Sequence, residues 1–450
     1  MSVTSAVSAI GASRGDGGAA RGREWLTLPG RKRVLVVAHT VTFARRLREA
    51  FSLLESDFRV QVVFTAPPHE FGDGVARYLR RLGSAVLPWE EAVRMSFDLA
   101  LAAGSRHVER VRAPLITMAH GASYLKLVPA PPRPNAGPNA GRAAGRDADP
   151  DTDPDTDPAA GSTTGPTTLV AGLSREYFVA DGRVVPAAVA VPHRDDLDAL
   201  ARSCPEVLPV AHVVGDPVHD RIGTSLPLRD AYRRALGLRE GQKLIAVAST
   251  WGPRSSFGGF EALLPRLLGE LRPPEHRVAV LVHPNVWSGH GPWQVRAWLA
   301  RCGPSGIGLV PPEADWRSVL IAADWIIGDH GSVTLYGTLT GAPILLAASP
   351  QQEINPASPA AALAATAPAL SPAHPLVSQL EYARAEYRRR DYEAIAARIT
   401  SEPGGFNRNM RALMYRLLGL GQPAHAPTTR PLPEPPPLDT WTGTDAEASA

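Results

Sequence analysis

With 450 residues, 44% of them hydrophobic and 20% charged, the chain is long enough for two domains, each with its own core. A formal net charge of +3, with no dense run of Lys or Arg, argues against a nucleic-acid partner despite a pI of about 9.0. Cys204 and Cys302 make neither a metal-spaced pair nor a disulfide framework, no apolar stretch approaches the roughly 20 residues of a membrane span, and the N-terminus lacks a signal-peptide core.

Those exclusions predict a protein of the reducing cytoplasm, with peripheral association at the inner face of the membrane as the alternative. Residues 1–31, rich in Gly, Ala, Ser and Arg, have no hydrophobic period and read as a disordered tail. From Val34 onward, short apolar runs alternate with helical patterns: "RVLVVAHT" before "VTFARRLREAFSLL", "RVQVVFTA" before "GVARYLRRLG", then "AVLPW", "FDLALAAG" and "APLITMAH". This alternation predicts a parallel sheet covered on both faces, an N-terminal Rossmann-like domain over 32–225. Residues 130–165 interrupt it with a Pro/Gly-rich stretch and the repeat "DADPDTDPDTDP", expected to be a disordered acidic insertion. Proline breaks the Asp run and EF-hand spacing is absent, so a solvated loop is the better reading than a calcium site. A second Rossmann-like domain, expected to bind nucleotide, is predicted over 240–348 from "LIAVAST", "RVAVLVHP", "GIGLVP", "DWIIGDHG" and "APILLA" with helices between them. A helical segment over 349–420 ends in the amphipathic "NRNMRALMYRLLGL", expected to pack back on the first domain, and a Pro-rich tail over 421–450 is expected to be disordered.

In an open parallel sheet, ligands bind outside the carboxyl ends of the strands. In the first domain that rule selects His39 and Thr40 after "VLVVA", and His120, Gly121, Ser123 and Lys126 after "APLITMA". In the second it selects Thr250, Trp251 and Arg254 after "LIAVAS", His283 and Pro284 after "VAVLV", and Asp329, His330, Gly331, Ser332 and Thr334 after "DWII". In this last turn Gly331 permits a tight bend and Ser332 is placed as an N-cap. The N–H groups of the helix that follows would then face an anion such as phosphate, flanked by Asp329 and His330. An ordinary βα turn uses Asp, Gly and Ser for capping alone, and that reading stays open.

Taken together, "MAHGASYLK", "GDPVHDR", "ASTW", "LVHP" and "DWIIGDHGSVTLYGTLTGAPILL" resemble, in this order, the CDP-glycerol glycerophosphotransferases, the teichoic-acid polymerases and primases. The resemblance spans roughly residues 112–347 and implies the GT-B architecture, an α/β fold of two Rossmann-like doubly wound domains facing a central cleft. It implies that His120 is the base that activates an acceptor hydroxyl, that His283 and the "GDHGS" turn contact the donor's phosphates, and that Lys126 falls on the family's lysine. The activity so implied moves a glycerophosphate or sugar unit from a CDP- or UDP-linked donor to a hydroxyl acceptor, in envelope polymer synthesis, with no metal and no cofactor. Neutral histidine can take a hydroxyl proton near pH 7, and helix N-termini can stabilise charge on a leaving CDP or UDP.

The sequence also departs from that pattern. Val218 stands where the family has arginine, His330 and Gly331 replace the tyrosine and first serine of its Asp-Tyr-Ser-Ser motif, and Arg254 lies three residues beyond Trp251. The stretch "VVGDPVHDRI" also looks like the linker turn of UDP-N-acetylglucosamine 2-epimerases, which keeps a UDP-sugar epimerase open. Such an enzyme needs a carboxylate beside the sugar ring, and the sequence does not identify one. The departures likewise keep open a non-catalytic GT-B-like binding or regulatory protein. No G-x-x-x-x-G-K-[ST] loop is present, which excludes a P-loop GTPase.

Overall fold

The computed structural model describes residues 28–122, 124–129, 168–272, 274–302, 305–312 and 314–438. The expected tail before residue 28, the insertion at 130–165 and Ser123 lie outside the described residues. The first sheet contains β1 (Lys32–Val37), β2 (Val60–Thr65), β3 (Val86–Leu87), β4 (Leu99–Ala102), β5 (Leu115–Met118), β6 (Ala188–Val191) and β7 (Ala211–Val213). Its strands are all parallel, in the order β7-β6-β5-β4-β1-β2-β3. The second contains β8 (Lys243–Ala248), β9 (His276–Leu281), β10 (Ile307–Val310), β11 (Trp325–Gly328) and β12 (Ile344–Leu346), parallel in the order β10-β9-β8-β11-β12.

Strands β4, β5, β6 and β11 are buried at every residue, which is why they read as unbroken apolar runs: helices cover both faces and no position meets water. In each sheet the chain starts at a central strand, winds outward, then returns to the other side of that strand. The winding therefore reverses between β1 and β4 and again between β8 and β11, and the strand ends splay apart there to leave a crevice.

Six helices bear on the site: α1 (Val41–Phe51), α2 (Pro217–Ser225), α3 (Pro284–His290), α4 (Trp316–Ala322), α5 (Ser332–Tyr336) and α6 (Phe406–Leu418). Helix α2 carries the chain from the first sheet to the second. Its N-cap is Asp216, whose carboxylate accepts the His219 N–H at 2.8 Å, with Pro217 in the first turn where a missing N–H costs nothing. Helix α6 returns to the first sheet. Phe406, Met410, Leu413, Met414 and Leu418 recur at helical spacing and are buried in the same cluster as Val34, Val36, Leu47 and Leu99. Gly419, with φ of 66°, ends the helix in the left-handed conformation. The Asp220 carboxylate accepts N–H groups of Gly404 at 2.7 Å and Phe406 at 3.0 Å, so α2 holds the start of α6 in place.

The expectation of a disordered tail from 421 does not hold for residues 421–438. Leu432 and Leu438 are buried in the core of the second sheet. Proline supplies carbonyls without N–H groups, and here side chains answer them: the Tyr232 hydroxyl donates to the Leu432 carbonyl at 2.8 Å, and Arg221 donates to the carbonyls of Arg430 and Pro431 at 3.2 and 3.0 Å. Among the described residues no helix is long and apolar enough to cross a membrane.

Candidate functional site

The first reversal point brings the loops after β1 and β4 together. His39 Nε2 lies 2.6 Å from the Arg106 carbonyl, so Nε2 carries the proton and Nδ1 is left as a buried acceptor without a hydrogen-bond partner. Desolvation, with the charges of His69, His107 and Arg106 behind it, pushes His39 down to about 4. Its neighbour does something different. Thr40 Oγ1 accepts the Phe43 N–H at 3.2 Å, making Thr40 the N-cap of α1 and taking it out of the expected binding set.

The second reversal point is closed by one carboxylate. Asp329 Oδ2 accepts the N–H groups of Thr250 and Ser256, each at 2.9 Å, while Oδ1 accepts the N–H of Gly331 at 3.0 Å. Asp329 therefore staples the loop after β8 to the turn after β11. A Cβ on Gly331 would stand 3.0 Å from Asp329 Oδ1 and 2.9 Å from Thr250 Cβ, so glycine is what lets the carboxylate fold back over the turn. Thr334 Oγ1 accepts the Asp329 N–H at 3.0 Å and completes the staple from below.

These bonds correct the N-cap expected in this turn. The N-cap of α5 is Gly331, not Ser332, the helix runs for only five residues, and the Gly331 N–H is already taken by Asp329. Ser332 instead reaches across the cleft, where its Oγ accepts the Ala122 N–H at 3.2 Å. A Cβ on Gly121 would collide with that hydroxyl, so Gly121 is there for close approach between the two halves. His330 and Arg254 turn away from the cleft as well: His330 Nε2 lies 3.1 Å from Glu353, and Arg254 bonds Glu353 and Gln352.

Between the sheets lies a cavity of about 680 Å³, within the range of nucleotide-sized sites. Of the residues predicted from sequence, His39, His120, Gly121, Lys126, Thr250, Trp251, His283, Asp329, Gly331 and Ser332 line it; Thr40, Arg254, His330 and Thr334 do not. His120 is exposed toward the cavity yet ringed by protein, with its imidazole 4.7 Å from the Phe43 ring. Desolvation first, then the cations Arg46 and Lys126, hold it down to about 4, so it is neutral and able to accept a proton at pH 7. His283 caps α3: its Nδ1 accepts the Asn285 N–H at 3.1 Å, which leaves the proton on Nε2. Burial, with Lys126 and His120 nearby, pushes it down to about 3. Lys126 Nζ donates to Thr250 Oγ1 at 3.2 Å and lies over the Trp251 ring at 5.7 Å; burial lowers its pKa, while Asp329 and Glu353 favour its charged form.

Strand-end reasoning could not find the residues contributed by helix faces. Arg46, on α1, is 4% exposed and lines the cavity; Nε donates to the Ala119 carbonyl at 3.0 Å and Nη2 to Asp216 at 2.8 Å. The Tyr336 hydroxyl donates to the same Asp216 oxygen at 2.9 Å. Glu49, also on α1, pairs with Arg317 of α4 at 2.7 Å and Arg221 of α2 at 3.1 Å. At the opposite rim Phe71, in the loop after β2, packs 5.1 Å from Trp251, and Asp73 accepts Ser288 Oγ through its carbonyl at 3.2 Å. The one signal in sequence is a run of arginines, "ARRLR", on a helix whose other inward residues are apolar, which by itself reads as a solvated face. Among the described residues no group of three His, Cys, Asp or Glu is arranged to hold a metal ion.

No protein-family model matches the chain, and no curated protein matches it by sequence. Solved structures do match. The wall teichoic acid polymerase TagF, in a variant soaked with CDPG, aligns over 87% of this chain and 90% of that chain at 11% identity, with a TM-score of 0.55. The fold is α/β and GT-B-like. A further TagF structure aligns over the same shares at 12% identity and a TM-score of 0.51, and MnaA of S. aureus with UDP aligns over 88% of this chain and 99% of that chain at 12% identity and 0.47.

Proposed function

We propose that this protein is a transferase that moves a glycerophosphate or sugar unit from a CDP- or UDP-linked donor to an acceptor hydroxyl. The observation that carries the reading is the meeting, in one cavity between two sheets, of a neutral histidine from the first sheet and a cationic and hydrogen-bonding set that could hold a diphosphate. The sharing of a fold with TagF, which was soaked with CDPG, supports a nucleotide-linked donor.

In this reading His120 takes the acceptor hydroxyl proton as that oxygen forms its bond to the donor carbon or phosphorus. The bond to the nucleotide breaks, and the electron pair leaves with the nucleoside phosphate. Lys126 and the Nε2–H of His283 would face the growing negative charge. Burial is the main cause of the low basicity of His120, with Arg46 and then Lys126 adding to it; a diphosphate beside Lys126 would offset that last contribution and raise the histidine toward its working range. The acid limb of kcat, which reports the donor complex, should therefore lie at higher pH than that of kcat/KM.

The epimerase alternative gains no support from the site. Among the described residues the acids lining the cavity are Glu49, Asp315 and Asp329; arginines hold the first two and backbone N–H groups hold the third. The decisive experiment is a binding and turnover panel of CDP- and UDP-linked donors with wild type and His120→Ala. The variant should keep donor affinity while transfer slows by roughly 10² to 10⁴. Absence of binding by wild type to every member of the panel would end the transferase reading.

A further inference from the structure

His120 sits in a turn, residues 119–122, that takes its partners from elsewhere in the molecule. The Ala119 carbonyl, one residue before the histidine, accepts the Arg46 Nε–H at 3.0 Å, and the Ala122 N–H, two residues after it, donates to Ser332 across the cleft. Arg46 is held in turn by a carboxylate that belongs to neither sheet: Asp216, at the head of the crossing helix α2, is fully buried and takes Nη2 at 2.8 Å. The same Asp216 oxygen takes the Tyr336 hydroxyl of α5, behind the second sheet's turn. One chain of hydrogen bonds thus runs from the base turn of the first sheet, through the connecting helix, to the second sheet.

Its energetics are unlike those of a packing ion pair. Arg46 Nη1 is buried with no hydrogen-bond partner, a guanidinium corner that an apolar residue would not leave unsatisfied. Replacing a buried ion pair by well-packed apolar residues is often neutral or stabilising, so stability alone does not account for a charge here. What the charge does that an apolar residue could not is grip the Ala119 carbonyl and Asp216 at once, with the fixed fork of its guanidinium.

We propose that Arg46 is the positioning residue of the His120 turn, and that Asp216 and Tyr336 make its grip depend on the two sheets standing in the arrangement seen here. Rotation of the second sheet away from the first would draw Tyr336 off Asp216 and Ser332 off Ala122, loosening both ends of the turn. His120 would then be aimed for catalysis only in the closed cleft. The inference rests on the role proposed for His120. The charged and titratable groups facing His120 are Arg46 from α1, Lys126 from the segment after the turn, and His283 from the end of β9.

The test follows His120 in the full chain by NMR titration, with turnover measured alongside. Arg46→Lys keeps the cation but loses the two-pronged grip. It should leave the His120 titration near that of wild type and lower kcat at least about tenfold with donor KM unchanged. The double variant Arg46→Gln with Asp216→Asn removes both charges without leaving either one buried alone, and in it His120 should titrate at higher pH than in wild type, because the cation beside it is gone. Tyr336→Phe, which changes no charge, should lower kcat without changing donor KM. If Arg46→Lys and Tyr336→Phe turn over as wild type does, Arg46 is a structural ion pair and the inference fails. A wild type that turns over no donor defeats the transferase reading, and this inference with it.

Discussion

The two turns that meet across the cleft, 119–122 after β5 and 329–332 after β11, are built on opposite principles. The second is satisfied from within its own sheet: Asp329 alone takes N–H groups from Thr250, Ser256 and Gly331, and receives support from Thr334. The first draws on Arg46 from a helix face and on Ser332 from the other sheet. A turn that satisfies itself keeps its shape whatever the neighbouring domain does. A turn with borrowed partners changes when the neighbour moves, which suits the role proposed for His120, a base that acts only in a closed cleft.

The largest expected effect breaks the self-satisfied turn. Asp329→Ala leaves three buried N–H groups without an acceptor, at about 1–3 kcal/mol each, so denaturant unfolding should register a loss of about 3 kcal/mol or more. His120→Ala, in the borrowed turn and exposed toward the cavity, should unfold close to wild type. Equal losses in the two variants would erase the distinction between the turns.

A second effect concerns pH. His39, His120 and His283 sit at about 4, 4 and 3 in the folded protein, against 6.5 when unexposed to these surroundings. The unfolded chain thus binds protons that these sites refuse, so their contribution is fully present above about pH 6.5 and is lost as pH falls through about 4. Asp196, pushed up to about 7 by burial, acts in the opposite sense, since its proton is bound more tightly in the folded state. With three groups against one, thermal unfolding should occur at lower temperature at about pH 5 than at pH 7. A Tm that rises on acidification would mean that these histidines are freely hydrated.

The smallest effect is the most local. Ser332→Ala removes the acceptor of the Ala122 N–H and should cost about 0.5–1.5 kcal/mol of stability. Because Ser332 joins the two sheets and does not cap α5, the same variant should weaken donor binding little. A large affinity loss with unchanged stability would restore the anion-binding reading of the turn and make the two turns more alike.

Much of the scaffold was legible in the sequence. Apolar runs alternating with amphipathic helices reflect local periodicity, and each buried parallel strand writes its own signature into three to six consecutive residues. The rule that ligands gather at strand ends picks out His120, Lys126, Thr250 and His283, all of which line the cavity, because it needs only the end of each strand. The Pro-rich segment at 421–438 was misread because its order comes from distant donors, Arg221 and Tyr232, that no local composition reveals.

What tertiary structure alone decided is which polar groups remain free for chemistry. Asp329 and Ser332 are the residue types expected at an anion site, but the Asp329 carboxylate is committed to the N–H groups of Thr250, Ser256 and Gly331, and Ser332 Oγ accepts the N–H of Ala122. Arg46 lies in an unremarkable helical pattern, and only the fold brings it to Asp216, 170 residues away, and to the turn that carries His120. Residue type and local spacing are properties of short stretches of chain, whereas burial and hydrogen-bond satisfaction depend on neighbours from anywhere in it. The sequence therefore names the groups that could act, and long-range packing determines which of them are left free to do so.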